Sequence, residues 1–242
     1  MKTSGIKSEN DKILLIIPAF NEQESIAKTI DDVTNSSYDY IIINDGSTDN
    51  TTSILEEKQA NHINLLFNLG IGGAVQTGYK YALDNNYNIA VQFDADGQHD
   101  IDSIQNLIQP IINKKADFVI GSRFIDKKEN NFKTSFSRRV GIRLISFIIY
   151  IFSRKRIYDT TSGFRAANQK AIRYLAKNYP REYPEPVSDF ELIKMKFNVV
   201  EISARMHERK AGKSSIHSWK SAYYVINVIL SILSIAIRRK RD

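Results

Sequence analysis

Ile89-Ala90-Val91-Gln92-Phe93-Asp94-Ala95-Asp96 is the stretch on which the reading of the chain turns. Its first five residues are apolar but for one glutamine, without the strict alternation of a half-solvated strand. That suits a strand buried on both faces. The run stops on two carboxylates one residue apart, followed by Gly97-Gln98-His99-Asp100. Asp and Gly at such a place have an ordinary reading: they close a strand and open a turn. They also have a chemical one. Two acids at a strand end can hold a hard divalent cation, Mg2+ or Mn2+, which takes one or two carboxylates together with substrate phosphates. On that reading Asp96 ligates the metal, and Asp94 sits beside it on a ribose or a metal-bound water. His99 is either a further ligand or a surface residue.

The same pattern extends outward. Apolar runs at 13–17, 40–43, 63–67, 89–93 and 118–120 alternate with helical patterns at 22–33, 48–60, 73–85 and 102–113. Pro18 is expected to stop the first run. The alternation predicts an α/β fold, a mostly parallel central sheet flanked by helices. Ligands of such sheets bind beyond the carboxyl ends of the strands. Here those ends carry Asn21-Glu22, Asp45, Asn68-Leu69-Gly70, Asp94 with Asp96, and Gly121-Ser122-Arg123, which should converge on one crevice. Asp45 has two readings, acceptor for a base N–H or ribose hydroxyl, and turn or cap residue. Residues 68–74 form a glycine-rich turn entering a helix, suited to close backbone approach to a nucleotide. They match neither the Walker loop nor the full dinucleotide fingerprint.

The bulk numbers agree with one domain and an appendage. The chain has 242 residues, 42% hydrophobic and 25% charged, with a formal net charge of +7 and no cysteine. Disulfides and thiolate metal sites are therefore excluded. A basic balance points to phosphates, a membrane surface or nucleic acid. Residues 1–12 read as a flexible N-terminus, and the apolar run after them is too short for a signal peptide, so a cytoplasmic protein is expected. Residues 13–216 read as the main domain and 217–242 as an apolar helix with a basic tail. Within the domain, residues 137–153 form a second unusually apolar helix. Neither helix reaches the ~20 apolar residues of a membrane span. Each has a narrow polar stripe and basic ends, which suits an interfacial membrane helix, a core helix or an oligomer contact. Residues 126–134 read as a floppy loop over the site. Arg209-Lys210-Ala211-Gly212-Lys213-Ser214-Ser215 is a basic loop in which Arg209 and Lys213 either clamp phosphates or remain solvated.

Taken together, five motifs in this order resemble the family-2 glycosyltransferases of GT-A (Rossmann-like) fold: Pro18-Ala19-Phe20-Asn21-Glu22, Asp45-Gly46-Ser47-Thr48-Asp49, Asn68-Leu69-Gly70 with Gly72-Gly73-Ala74, Asp94-Ala95-Asp96-Gly97-Gln98-His99, and Gly121-Ser122-Arg123. Asp159-Thr160-Thr161-Ser162-Gly163-Phe164-Arg165 and Arg209 with Gly212-Lys213-Ser214-Ser215 look like the dolichol-phosphate mannose synthase and polyprenyl-phosphate glycosyltransferase branch. The resemblance implies that Pro18, Phe20, Glu22 and Asp45 hold the nucleoside. It implies that Asp94, Ala95, Asp96 and Gln98 hold the ribose, diphosphate and metal, and that Arg209 and Lys213 hold the diphosphate. Asp94, Asp96 and Arg209 are then the catalytic set. Arg123, Arg138, Arg139 and Arg143 are the candidates for the acceptor phosphate. The family's usual tyrosine in the first motif is Phe20 here, which keeps stacking and loses the hydroxyl. Many relatives carry full membrane spans after the catalytic domain. The expectation here is a chain peripheral at the inner face of the cell membrane, or one resting on a small membrane-protein partner or a second copy.

The implied reaction is inverting transfer of a hexose from a nucleotide sugar to polyprenyl phosphate, with a UDP-sugar (glucose or N-acetylglucosamine) preferred over GDP-mannose. The alternative is direct transfer to a saccharide in cell-wall or capsule assembly. That needs a general-base carboxylate, for which Asp159, Asp189 and Glu191 are the candidates. A nucleic-acid- or membrane-binding module without catalysis would leave the acidic motifs with no role, so no nucleic-acid partner is expected.

Overall fold

A computed structural model describes residues 11–95, 100–125, 136–204 and 218–237. Seven strands, β1 (Ile13–Ala19), β2 (Asp39–Asn44), β3 (His62–Asn64), β4 (Ile89–Gln92), β5 (Phe118–Ser122), β6 (Arg165–Asn168) and β7 (Val199–Ser203), form one sheet in the order β3-β2-β1-β4-β6-β5-β7. Every described pairing is parallel except those of β6, which runs antiparallel to both β4 and β5. The helices are α1 (Ile26–Thr34), α2 (Thr51–Glu57), α3 (Gly70–Asp84), α4 (Ser103–Ile112), α5 (Phe136–Ser153), α6 (Gln169–Asn178), α7 (Pro184–Lys194) and α8 (Ser218–Ile237).

The continuous apolar strands have a direct cause. Odd residues of β1 (Ile13, Leu15, Ile17) join Val91 in a core under α1, α2 and α4. Even residues (Leu14, Ile16) join Ile41, Ile43 and Ala90 under α3 and α6. A strand covered on both faces has no position left for polar alternation. Gly78 of α3 lies so close to Ile16 that an added methyl would overlap its Cγ2, which brings this helix tight onto β1. A third, smaller core joins Ile145 and Ile149 of α5, Phe190 of α7, and Val228 and Ile232 of α8.

Several expectations need correction. Pro18 does not stop β1, which runs on to Ala19 in register with Asn44. Pro18 shares its side of the strand with Ile16, whose carbonyl accepts from Phe93 at 2.9 Å. The pairing with β4 ends at Ile16–Gln92, so the missing N–H faces a finished ladder. The strand expected at 63–67 is only His62–Asn64, and Leu66 and Phe67 beyond it are exposed. α1 and α2 begin three or four residues later than the pattern suggested, and α3 begins three earlier, at Gly70. β6, α6, α7 and β7 were not anticipated. No described helix is long and apolar enough to cross a membrane.

Candidate active site

The loops after β1, β2 and β4 meet at the carboxyl edge of the sheet. Phe20 is exposed there, beside Asn21 in the left-handed region (φ 54). Asn21 Oδ1 accepts from the Thr48 N–H at 2.8 Å, and Ser47 Oγ accepts from the Asn21 N–H at 3.0 Å. The Glu22 N–H donates to Thr51 Oγ1 at 2.9 Å, and the Glu22 carboxylate accepts from Ser25 Oγ at 2.6 Å. The first two motifs are thus laced into one wall. Pro18 is buried behind it.

Asp45 is buried and its N–H donates to the Ala19 carbonyl at 2.8 Å. One carboxylate oxygen accepts from the Leu69 N–H at 2.7 Å. Burial pushes this carboxyl up, against the pull of the Leu69 and Gly70 N–H groups. The turn reading of Asp45 is the one the contacts show: it anchors the glycine-rich turn at the carboxyl end of β2. At Gly46, with φ +68, an added Cβ would press on the backbone of Phe67 and Asn68, which leaves no room for a side chain there.

Asp94 follows β4 and is only half-buried, while Ala95 is buried and its carbonyl accepts from Thr29 Oγ1 at 2.9 Å. Gln92, fully buried, donates from Nε2 to Asp94 Oδ1 at 3.5 Å and accepts from the Tyr179 hydroxyl at 3.2 Å. Across from it Gly163 presents bare backbone, and a methyl there would overlap the Asp94 carboxylate. A partly exposed carboxylate cradled in this way is the hard oxygen donor that Mg2+ or Mn2+ takes. Asp96, Gln98, His99, Arg209 and Lys213 lie outside the described residues, as does the Arg138 side chain. No group of three or more metal-ligating side chains occurs among the described residues.

A second group of candidate residues is built on β5. Arg123 Nε and Nη2 fork onto the Asp159 carboxylate at 2.7 Å each, Nη2 also donates to Thr161 Oγ1 at 2.9 Å, and both charged side chains are buried. Burial alone would raise the Asp159 carboxyl. Arg123 and the N–H groups of Arg123 and Thr161 bring it below the usual carboxylate range. Glu201 of β7 accepts the N–H groups of Tyr158 and Asp159 at 2.7 Å each. Arg123 lies at the edge of a cavity of about 980 Å³ lined also by Arg139, Arg143, Ser146, Phe147 and Tyr150 of α5, and by Arg156 and Tyr158. Three of the four arginines expected at the acceptor phosphate therefore line one space.

In the sequence reading Arg165 has no role beyond its place in a motif, and Asp189 only that of a general-base candidate. Arg165 opens β6 and is fully buried. It donates to the Ser162 carbonyl at 2.6 Å, to the Glu185 carbonyl at 3.0 Å and to Ser188 Oγ at 2.9 Å, and pairs with Asp189 at 3.1 Å. Burial pushes the Asp189 carboxyl up to about 8 against the pull of Arg165. That value would suit a general base, but the arginine across its oxygens and its full burial deny it an acceptor. Glu185, in the first turn of α7, lies within electrostatic reach of both Asp94 and Arg123. A left-handed Tyr183 (φ 50) and the two prolines 184 and 186 fix the start of α7.

The comparisons with known proteins agree with this geometry. Residues 14–175 match the model of glycosyl transferase family 2. A UDP-N-acetylglucosamine–dolichyl-phosphate N-acetylglucosaminyltransferase of Methanococcus voltae is 38% identical over 214 residues, 79% of this chain and 84% of that protein. An undecaprenyl-phosphate mannosyltransferase of Micrococcus luteus is 26% identical over 235 residues, 90% of this chain and 92% of that protein. Among solved structures, the glucosyl-3-phosphoglycerate synthase of Mycobacterium tuberculosis, crystallised with Mn2+, UDP-glucose and phosphoglyceric acid, superposes with a TM-score of 0.65. At 14% identity, covering 96% of this chain and 82% of that one, it shares the GT-A fold. By these matches the chain belongs to glycosyl transferase family 2.

Proposed function

We propose that the protein is an inverting, metal-dependent hexosyltransferase that moves a hexose from a nucleotide sugar to polyprenyl (undecaprenyl) phosphate for cell-envelope polysaccharide synthesis. The observation that carries this reading is the cavity beside β5, where Arg123, Arg139, Arg143 and Arg156 face one space next to the outward apolar side of α5. Arginines suit a phosphate by their forked donors, and an apolar rim suits its isoprenyl tail. The dolichyl- and undecaprenyl-phosphate activities of the relatives support the same acceptor class. Their sugars differ. We favour a UDP-sugar, UDP-N-acetylglucosamine or UDP-glucose, because the more similar of these two relatives uses UDP-N-acetylglucosamine.

A phosphate monoester is already a nucleophile at neutral pH, so no strong base is needed. The carboxylates that a saccharide acceptor would call on are engaged elsewhere. Asp159 is forked by Arg123, Asp189 is paired with Arg165, and Glu191 is hydrogen-bonded to the Tyr174 hydroxyl. Pro18, Phe20, Glu22 and Asp45 take the nucleoside; Asp94, Ala95, Asp96 and Gln98 the ribose and diphosphate; Arg209 and Lys213 the leaving diphosphate. Mg2+ or Mn2+ held by Asp96 and Asp94 supplies Lewis-acid neutralisation of that diphosphate. The apolar faces of α5 and α8 support a peripheral position at the inner face of the membrane.

The test is incubation with radiolabelled UDP-sugars, undecaprenyl phosphate and Mn2+. Lipid-extractable label that disappears with a chelator and in Asp94→Ala is expected. No label from any nucleotide sugar would overturn the reading.

A further inference from the structure

We propose that Arg156 is a direct ligand of the acceptor phosphate, supplying with Arg139 and Arg143 the unbalanced positive charge of the cavity. The inference rests on the acceptor reading above. It adds a residue from outside the acceptor helix and divides the work among the arginines.

The division follows from pairing. Arg123 is buried and its charge is balanced by the Asp159 carboxylate forked onto it. Arg139, Arg143 and Arg156 form no ion pair with another described residue. The uncompensated charge of the cavity therefore comes from these three. A phosphate monoester at neutral pH carries about −1.5 to −2. The two α5 arginines are one helical turn apart on one face, and Arg156 reaches the same space from the connection between α5 and β6.

A basic residue in a connection is by default a solvated one, and Arg154 and Arg156 are both exposed, with the half-buried Lys155 between them. Arg156 differs because its surroundings are pinned on both sides. Ile157 next to it is buried, and its carbonyl accepts from Ser146 Oγ of α5. The N–H groups of Tyr158 and Asp159 are held by Glu201 at 2.7 Å. The guanidinium lies over the Tyr158 ring, 4.9 Å from its centroid, and that ring lines the same cavity. Stacking on the ring of a residue whose backbone is held limits the rotamers of a long side chain before any ligand arrives, which lowers the ordering cost of binding. Phe147 and Tyr150 supply the apolar wall along which the first isoprene unit would lie.

The experiment is calorimetric titration of the full chain in detergent with geranyl phosphate, inorganic phosphate and geraniol, with UDP and Mn2+ as the donor-side control. Arg156→Ala should weaken geranyl phosphate about 10- to 100-fold, the loss of one charge-assisted contact. UDP affinity and melting temperature should be unchanged. Arg156→Lys should recover part of the loss, since lysine keeps the charge but not the fork. Unaltered affinity in Arg156→Ala, with Arg139→Ala weakened, would overturn the inference. Inorganic phosphate bound as tightly as geranyl phosphate would overturn the lipid headgroup as its source. A protein that binds UDP but not geranyl phosphate would overturn the acceptor reading itself, and the inference with it.

Discussion

Asp159 shows how much a single buried carboxylate can decide. It is the counter-charge of Arg123, it sits where two N–H groups of its own turn are captured by Glu201, and it is fully buried. Removing it would strand a buried guanidinium. Asp159→Ala should destabilise the fold by about 3–5 kcal/mol in urea denaturation. The pH dependence has a defined sign. The folded-state carboxyl titrates below its ordinary value of 3.8, so its stabilisation is present above that value and is lost as pH falls through the folded-state value. Urea midpoints of the unaltered protein should therefore drop as the pH is lowered below that point. Gly163 is the contrasting case, small and set against Asp94. Gly163→Ala drives a methyl into the Asp94 carboxylate. It should lower kcat/KM about 10²-fold, as misplacing a substrate-positioning group does. A loss of that size with an unchanged melting temperature would separate it from a packing defect.

Among the elements, α5 and α8 behave differently from the other helices. Each buries one side in the small third core and leaves the other apolar and uncovered: Phe147 is 56% exposed and Leu230 58%. If those sides face lipid, Phe147→Glu and Leu230→Glu should each weaken binding to phosphatidylglycerol vesicles about tenfold, the worth of one buried apolar side chain. UDP affinity should hold in both. Cosedimentation with the vesicles checks this. Legibility also differs by element. β1, β2, β4 and β5 are each covered on both faces, so their apolar runs announced them. β6 reads Arg165-Ala166-Ala167-Asn168, with an arginine in a central strand, a place where charge is accepted only because Asp189 and three oxygens meet it from elsewhere in the chain. No local pattern encodes that partner. α7 was hidden by its two prolines, which look like breakers and are in fact first-turn residues. At the candidate site, Asp45, Asp94, Arg123, Arg139 and Arg143 stand out in the sequence by their places at strand ends and in the helix after β5. Arg165, Gln92, Glu185 and Arg156 were not, because their meaning lies in what they touch.

At the scale of the molecule, the reversal of β6 matters most. The other strands bring their carboxyl ends to the crevice, whereas β6 brings its amino end, and with it the turn over residues 159–164. That turn touches Arg123 through Asp159 and borders Asp94 through Gly163. The proposed donor and acceptor subsites thus lean on opposite ends of one short piece of backbone, itself fixed by Arg165 through the Ser162 carbonyl. Two ligands that strain or relax a shared support are thermodynamically linked, and linkage is reciprocal. Titrating UDP with and without geranyl phosphate, and geranyl phosphate with and without UDP, should return a factor different from one and equal in both directions. The backward strand is then more than a topological oddity of the sheet: it makes this turn the place where occupancy of one substrate becomes information for the other.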